Sequence, residues 1–142
     1  MRDSSTPQQG ATKTLTLTIY PQIEITTTSL PAGYEGQANY SAQLAATGGT
    51  GSYNFTVTSG HLPSGLSLQS DGTISGAVAD GTAGEYTVTF SVSDGIGSSN
   101  TTLTLKIVKP LRVVVDRIPT AFEGKPYSWR VLIEGGSGDL TF

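Results

Sequence analysis

Thr102-Leu103-Thr104-Leu105-Lys106-Ile107 alternates polar and apolar side chains, and 88 positions earlier the chain reads Thr14-Leu15-Thr16-Leu17-Thr18-Ile19. Period-two alternation describes a strand with one face in a core and one in water. Its return at long range describes a module used more than once. At the same offset Pro31, Glu35 and Gly36 return as Pro119, Glu123 and Gly124. Beyond Asn39 the offset drops to 87, and Tyr40, Ser41, Gly48, Gly49, Gly51 and Phe55 return as Tyr127, Ser128, Gly135, Gly136, Gly138 and Phe142. The chain thus divides into 1–21, the terminal strand of a preceding repeat, 22–109, a complete domain, and 110–142, the truncated start of a following repeat.

The complete unit predicts seven strands. Tyr86, Val88, Phe90 and Val92 alternate with Thr87, Thr89 and Ser91, and Tyr53, Phe55 and Val57 alternate with Asn54, Thr56 and Thr58. Residues 23–28, 39–46, 66–69 and 73–77 supply weaker strands, and 102–107 the last. No stretch carries a helical period. Turns separate them: Gly48-Gly49-Thr50-Gly51, Leu62-Pro63-Ser64-Gly65, the Asp71-Gly72 pair that marks a hairpin, and Asp94-Gly95-Ile96-Gly97. Short strands at such spacing predict an all-β, seven-stranded antiparallel Greek-key sandwich. Its expected core is Ile25, Leu44, Phe55, Leu66, Leu68, Ile74, Tyr86, Val88, Phe90, Val92, Leu103 and Leu105. Lys109-Pro110 and the equivalent Pro21 form short, stiff joints between units, because proline fixes its own φ and cannot donate to a ladder.

Composition narrows the function classes. Only 13% of the 142 residues are charged and the formal net charge is −3, so no basic stripe meets nucleic acid or an anionic membrane. Cysteine is absent, which excludes disulfides and thiolate chemistry. No apolar run is long enough for a membrane helix. Residues 1–13 are polar and lack the apolar segment of a signal peptide, so any export signal is expected outside this chain.

Several motifs together carry a family resemblance. Leu30-Pro31-Ala32-Gly33-Tyr34-Glu35-Gly36-Gln37, Tyr40-Ser41-Ala42-Gln43-Leu44 and Thr47-Gly48-Gly49-Thr50-Gly51-Ser52-Tyr53 come first. Leu62-Pro63-Ser64-Gly65-Leu66-Ser67-Leu68, Asp71-Gly72-Thr73-Ile74-Ser75-Gly76 and Tyr86-Thr87-Val88-Thr89-Phe90 follow. In this order they resemble bacterial immunoglobulin-like repeats, which are similar to dystroglycan-type cadherin-like domains. The resemblance implies an extracellular or cell-surface setting, neighbouring repeats in the same polypeptide, and a role as spacer or adhesive stalk. It supplies no ligand.

The candidate chemistry is sparse. His61, the one histidine, opens a loop with nothing to orient a nucleophile beside it. Gly48-Gly49-Thr50-Gly51 lacks the helix and Lys-Ser/Thr pair of a phosphate loop. Lys106 is out of phase with Leu105 and Ile107, which places it in solvent and excludes a buried Lys–Asn crosslink. Calcium is the one cofactor to weigh, with Glu35, Asp94 and Asp116 as candidate ligands and Glu123 as the counterpart of Glu35. A calcium site needs about six oxygens, and the Lys109-Pro110 joint has no acidic cluster. Tyr34, Tyr53 and Trp129 are the aromatic candidates for a surface glycan or protein ligand. Trp129 is expected to point away from its strand's core face and to pack on a neighbouring module. The expectation is therefore a non-enzymatic repeat segment. The alternative is a carbohydrate- or protein-binding module appended to a secreted hydrolase.

Overall fold

A computed structural model describes residues 12–114 and 117–136, and among these there is no helix. Strands β1 (Glu24–Ile25), β2 (Gly33–Tyr34), β3 (Tyr40–Gln43), β4 (Ala46–Thr47), β5 (Asn54–Ser59), β6 (Leu66–Leu68), β7 (Thr73–Gly76), β8 (Gly84–Ser93) and β9 (Ser98–Val108) lie within 22–109. β10 (Arg112–Val114) and β11 (Leu132–Glu134) follow.

The clearest alternation builds the longest pairing. β8 and β9 run antiparallel with Tyr86 opposite Leu105 and Val88 opposite Leu103. β5 joins the other side of β8 with Phe55 opposite Val92, and β2 joins β9, giving the order β2-β9-β8-β5. A three-stranded sheet, β3-β7-β6, faces it. Val88, Phe90, Val92 and Leu105 from the larger sheet and Ile74 from the smaller are fully buried, with Phe55, Tyr40 and Ala42 beside them. Val88, Phe90 and Val92 are two apart on β8, as are Leu103, Leu105 and Ile107 on β9 and Tyr40 and Ala42 on β3, so one face of each of these strands is dry. The outer face of the β8–β9 ribbon is polar: Thr89 and Thr102 hydroxyls meet at 2.9 Å, and exposed Lys106 lies 4.0 Å from Glu85.

The unit departs from seven antiparallel strands in two places. β2 is additional, and it pairs parallel to β9, Gly33 with Ile107 and Tyr34 with Val108. A Cβ on Gly33 would sit 2.9 Å from Ile107 Cδ1, with the side chains of Tyr40 and Gln37 as its other near neighbours. The strand expected over 39–46 divides because its hydrogen-bond partners change. Leu44 N–H donates to the Gly72 carbonyl, whereas Ala45 N–H donates to Thr27 Oγ1 and β4 then pairs with β1.

The core differs at a few positions. Val57, which alternates with Phe55 in sequence, is 38% exposed although it stands opposite the buried Phe90, and β5 bulges directly after it, between Val57 and Ser59. Leu66, Leu68 and Tyr86 are half-buried against the core, while Ile23, Leu30, Tyr40, Ala42, Val78 and Ile107 join it.

Residues 12–22 carry no strand, and Leu15, Leu17 and Ile19 are 79%, 84% and 81% exposed. The pattern for a strand is there without a partner to pair with among the described residues. After the joint, β10 and β11 pair with Arg112 opposite Glu134 and Val113 opposite Ile133. In the complete unit β1 and β4 pair in the corresponding register, Glu24 opposite Thr47 and Ile25 opposite Ala46.

Candidate functional site

β9 has eleven residues, so at about 3.3 Å per residue it holds the two ends of the unit roughly 33 Å apart. Every candidate residue within the unit belongs to one end or the other.

At the end where β9 begins, Asp94 ties two turns together. Its Oδ1 accepts from the N–H groups of Ile96 (3.0 Å) and Gly97 (2.7 Å), and its Oδ2 accepts from Thr50 N–H at 2.7 Å. The N–H groups of Gly97, Thr50 and Ile96, in that order of effect, hold the Asp94 carboxyl below its usual value. The chain enters the unit here. Gly49 N–H donates to the Pro21 carbonyl at 2.8 Å, and Gly48, at φ +78°, lies so close to the Gln22 carbonyl that a Cβ would collide with it. Tyr53 donates its hydroxyl to Gly48 O at 2.9 Å and sets its ring edge-on to Phe55. A half-buried ring with its hydroxyl engaged is not the exposed aromatic that the sequence suggested.

At the opposite end β9 hands the chain to the next segment. Glu35 N–H donates to the Val108 carbonyl at 3.0 Å, and Gly136 N–H donates to the Lys109 carbonyl at 2.9 Å. Two consecutive carbonyls are thus bonded to two different sides of the joint. Glu35 Oε1 accepts from Ala83 N–H at 2.7 Å, so its carboxylate also holds a loop. Glu35, Asp80, Lys109, Pro110, Arg112 and Glu134 line a cleft of about 340 Å³ across this joint. Of its charged residues the sequence singled out Glu35 as a candidate ligand and Lys109 as part of the joint. The others are scattered from position 80 to 134 and form no motif.

The calcium candidates are not brought together. Glu35 and Asp94 lie at opposite ends of β9, and Asp116 lies outside the described residues. Among the described residues no three His, Asp, Glu or Cys side chains form a metal-binding group. Nor do the aromatics form one platform. Tyr34, 48% exposed, pairs with Val108 at the Glu35 end, far from Tyr53. Trp129 is 37% exposed beyond the joint. Tyr127, Trp129 and Val131 are two apart and stand at the positions of Tyr40, Ala42 and Leu44, all buried in the complete unit. By that correspondence Trp129 belongs with the inward residues of its segment, contrary to the expected outward placement. Tyr127 supports the correspondence: its hydroxyl donates to the Pro119 carbonyl at 2.9 Å, as that of Tyr40 does to Pro31 at 2.7 Å.

A family model described as "Putative Ig domain" matches residues 21–108. No curated protein matches the chain. Two similar solved structures come from Bacteroides fragilis NCTC 9343. One, a "putative alpha-galactosidase/melibiase", has a TM-score of 0.52 and 20% identity over 61% of this chain and 18% of its own. The other, a "putative alpha-galactosidase", has a TM-score of 0.52 and 24% identity over 66% of this chain and 19% of its own. These likenesses are of fold. The chain spans less than a fifth of the length of either structure.

Proposed function

The chain belongs to the family described as Putative Ig domain, and we propose that it is a non-enzymatic spacer or adhesive-stalk segment of a larger extracellular or cell-surface protein. In this reading residues 1–21 and 110–142 belong to further units of the same type, and neighbouring units are the principal partners. The observation that carries the spacer role is the joint. The Val108 carbonyl is bonded to Glu35 on one side and the Lys109 carbonyl to Gly136 on the other, so no free residue separates the two anchors. Pro110 follows at once and fixes its own φ. A joint of this kind transmits orientation and does not act as a hinge. The tandem reading rests on recurring geometry: β10–β11 repeats the register of β1–β4, and Gly136 holds Lys109 as Gly49 holds Pro21.

Nitrogen-15 relaxation across residues 22–136 tests the stiffness. One tumbling time on both sides of Lys109 is expected, and separate times would defeat the spacer argument. A second reading, a module appended to a secreted hydrolase, draws on the names of the two B. fragilis proteins, in which the matched region is a minor part of the chain. Retention on a polysaccharide gel, abolished by Tyr34→Ala with the melting midpoint kept, would favour a binding role over the spacer.

A further inference from the structure

The chain has three asparagines, and each is followed two positions later by a hydroxyl: Asn39-Tyr40-Ser41, Asn54-Phe55-Thr56 and Asn100-Thr101-Thr102. In every case the first and third residues are exposed, while the middle one is turned inward, Tyr40 and Phe55 at 3% and 4% exposure and Thr101 half-buried. Extended backbone produces this. Residues two apart share a face, so carboxamide and hydroxyl stand together in water. Two of the triplets lie inside strands, in β5 and β9, where asparagine is a poor choice by propensity.

No internal role accounts for these amides. Gln37 Oε1 accepts from Tyr34 N–H at 3.2 Å and Gln43 Nε2 donates to the Asp71 carbonyl at 2.8 Å. The side chains of Asn39, Asn54 and Asn100 make no such bond among the described residues. Their neighbours are small. Across the larger sheet Asn54 stands opposite Ser93, which stands opposite Ser98, and Asn100 stands opposite Ser91, which stands opposite Thr56. These two asparagines are therefore two strands and one outward row apart, about 12 Å between Cα atoms. The Glu85–Lys106 pair lies three outward rows further along β9. Asn39 directly precedes β3 at the Glu35 end, where Gln37 Nε2 donates to its backbone carbonyl.

Resting on the extracellular reading above, we propose that Asn39, Asn54 and Asn100 are acceptors of N-linked glycan. An asparagine with serine or threonine two positions on, and no proline between, is the acceptor pattern of that modification. The donor is a sugar activated as its diphosphate ester. Asparagine Nδ2 bonds to the anomeric carbon as the bond from that carbon to the diphosphate breaks. The diphosphate leaves with the electron pair, and the amide nitrogen gives up one proton. A glycan on any of the three stays in water once the unit has folded, because its asparagine stands outside the core. Glycans at Asn54 and Asn100 share one outer face, and that at Asn39 lies beside the other sheet.

The test uses the protein in and from the cells that produce it. A membrane-impermeant amine reagent applied to intact cells labels the exposed Lys106 only if the unit is outside. Peptide mass spectrometry with fragmentation that retains sugars then reads each asparagine, and added saccharide is expected on Asn39, Asn54 and Asn100. Thr56→Ala keeps Asn54 and should abolish its saccharide alone, whereas Thr56→Ser should preserve it. Thr56 is exposed, so both variants keep the parent's melting midpoint. Three bare asparagines on a unit whose Lys106 is labelled would overturn the proposal and leave the extracellular reading standing. Bare asparagines with Lys106 unlabelled would overturn both. Saccharide on Asn54 that survives Thr56→Ala would also overturn the proposal, because the hydroxyl would then play no part in the acceptor.

Discussion

Leucine occupies the same place in the same motif at positions 17 and 105, and the two should respond oppositely to truncation. Leu105 is fully buried between β8 and the facing sheet, whereas Leu17 is 84% exposed. Leu105→Ala removes buried methyl groups and leaves a cavity that the β8–β9 ribbon cannot close, at a cost of about 3 kcal/mol or more. For a domain of this size about 1 kcal/mol moves the midpoint by about 4–8 °C, so a fall of roughly 12–24 °C is expected. Leu17→Ala removes an exposed side chain and should stay within about 0.5 kcal/mol, or roughly 2–4 °C. Thermal unfolding followed by circular dichroism provides the comparison. Equal shifts for the two variants would refute the reasoning, because they would mean that residues 14–20 are packed as β9 is.

Asp94 should shape the acid limb of stability. Its folded-state pKa is depressed by the N–H groups of Gly97, Thr50 and Ile96, so the unfolded chain binds its proton at higher pH. The contribution is present above the unfolded carboxylate pKa and is lost as pH falls through the folded one. Asp94→Asn should therefore flatten the melting midpoint's dependence on pH below about 4, the ordinary carboxylate range, and an unchanged acid limb would contradict this. Gly48 and Gly51 both lie at positive φ, but a Cβ on Gly48 meets the Gln22 carbonyl while one on Gly51 meets nothing. Gly51→Ala should cost about 1 kcal/mol of backbone strain and Gly48→Ala distinctly more, by urea titration. Calcium against chelator should leave the midpoint unmoved, since Glu35 and Asp94 sit at opposite ends of β9, and a rise with added ion would restore a metal site.

What could be read from the sequence was whatever repeats with a short period. β8 and β9 announce themselves because Val88, Phe90 and Val92, then Leu103, Leu105 and Ile107, alternate without interruption. The Asp71 turn was legible because a carboxylate two residues before an N–H can accept from it, as it does from Thr73 at 2.9 Å. β2 was not, since two residues carry no period and its partner β9 lies far along the chain. The change of partner at Leu44 and the bulge after Val57 are decided by what lies across the ladder, which the local sequence does not contain. The candidate site failed for a related reason. Spacing along a chain of strands does not say which end of the sandwich a loop occupies, and Glu35 and Asp94 fall at different ends. Trp129 was a matter of counting in twos: its neighbours at 127 and 131 share its face.

The bond between Gly49 and Pro21 also bears on how such a chain avoids misassembly. Modules of similar sequence in series risk exchanging strands during folding, because a look-alike made early is available while the proper strand is still being synthesised. Residues 14–19 precede 102–107 in exactly this sense. Once Gly49 holds Pro21, the earlier strand is leashed to the end of the unit from which it cannot lie alongside β8 in the right direction. On the tandem reading proposed above, the anchor at Pro21 would keep the earlier copy of the motif out of the place of β9 while the unit folds.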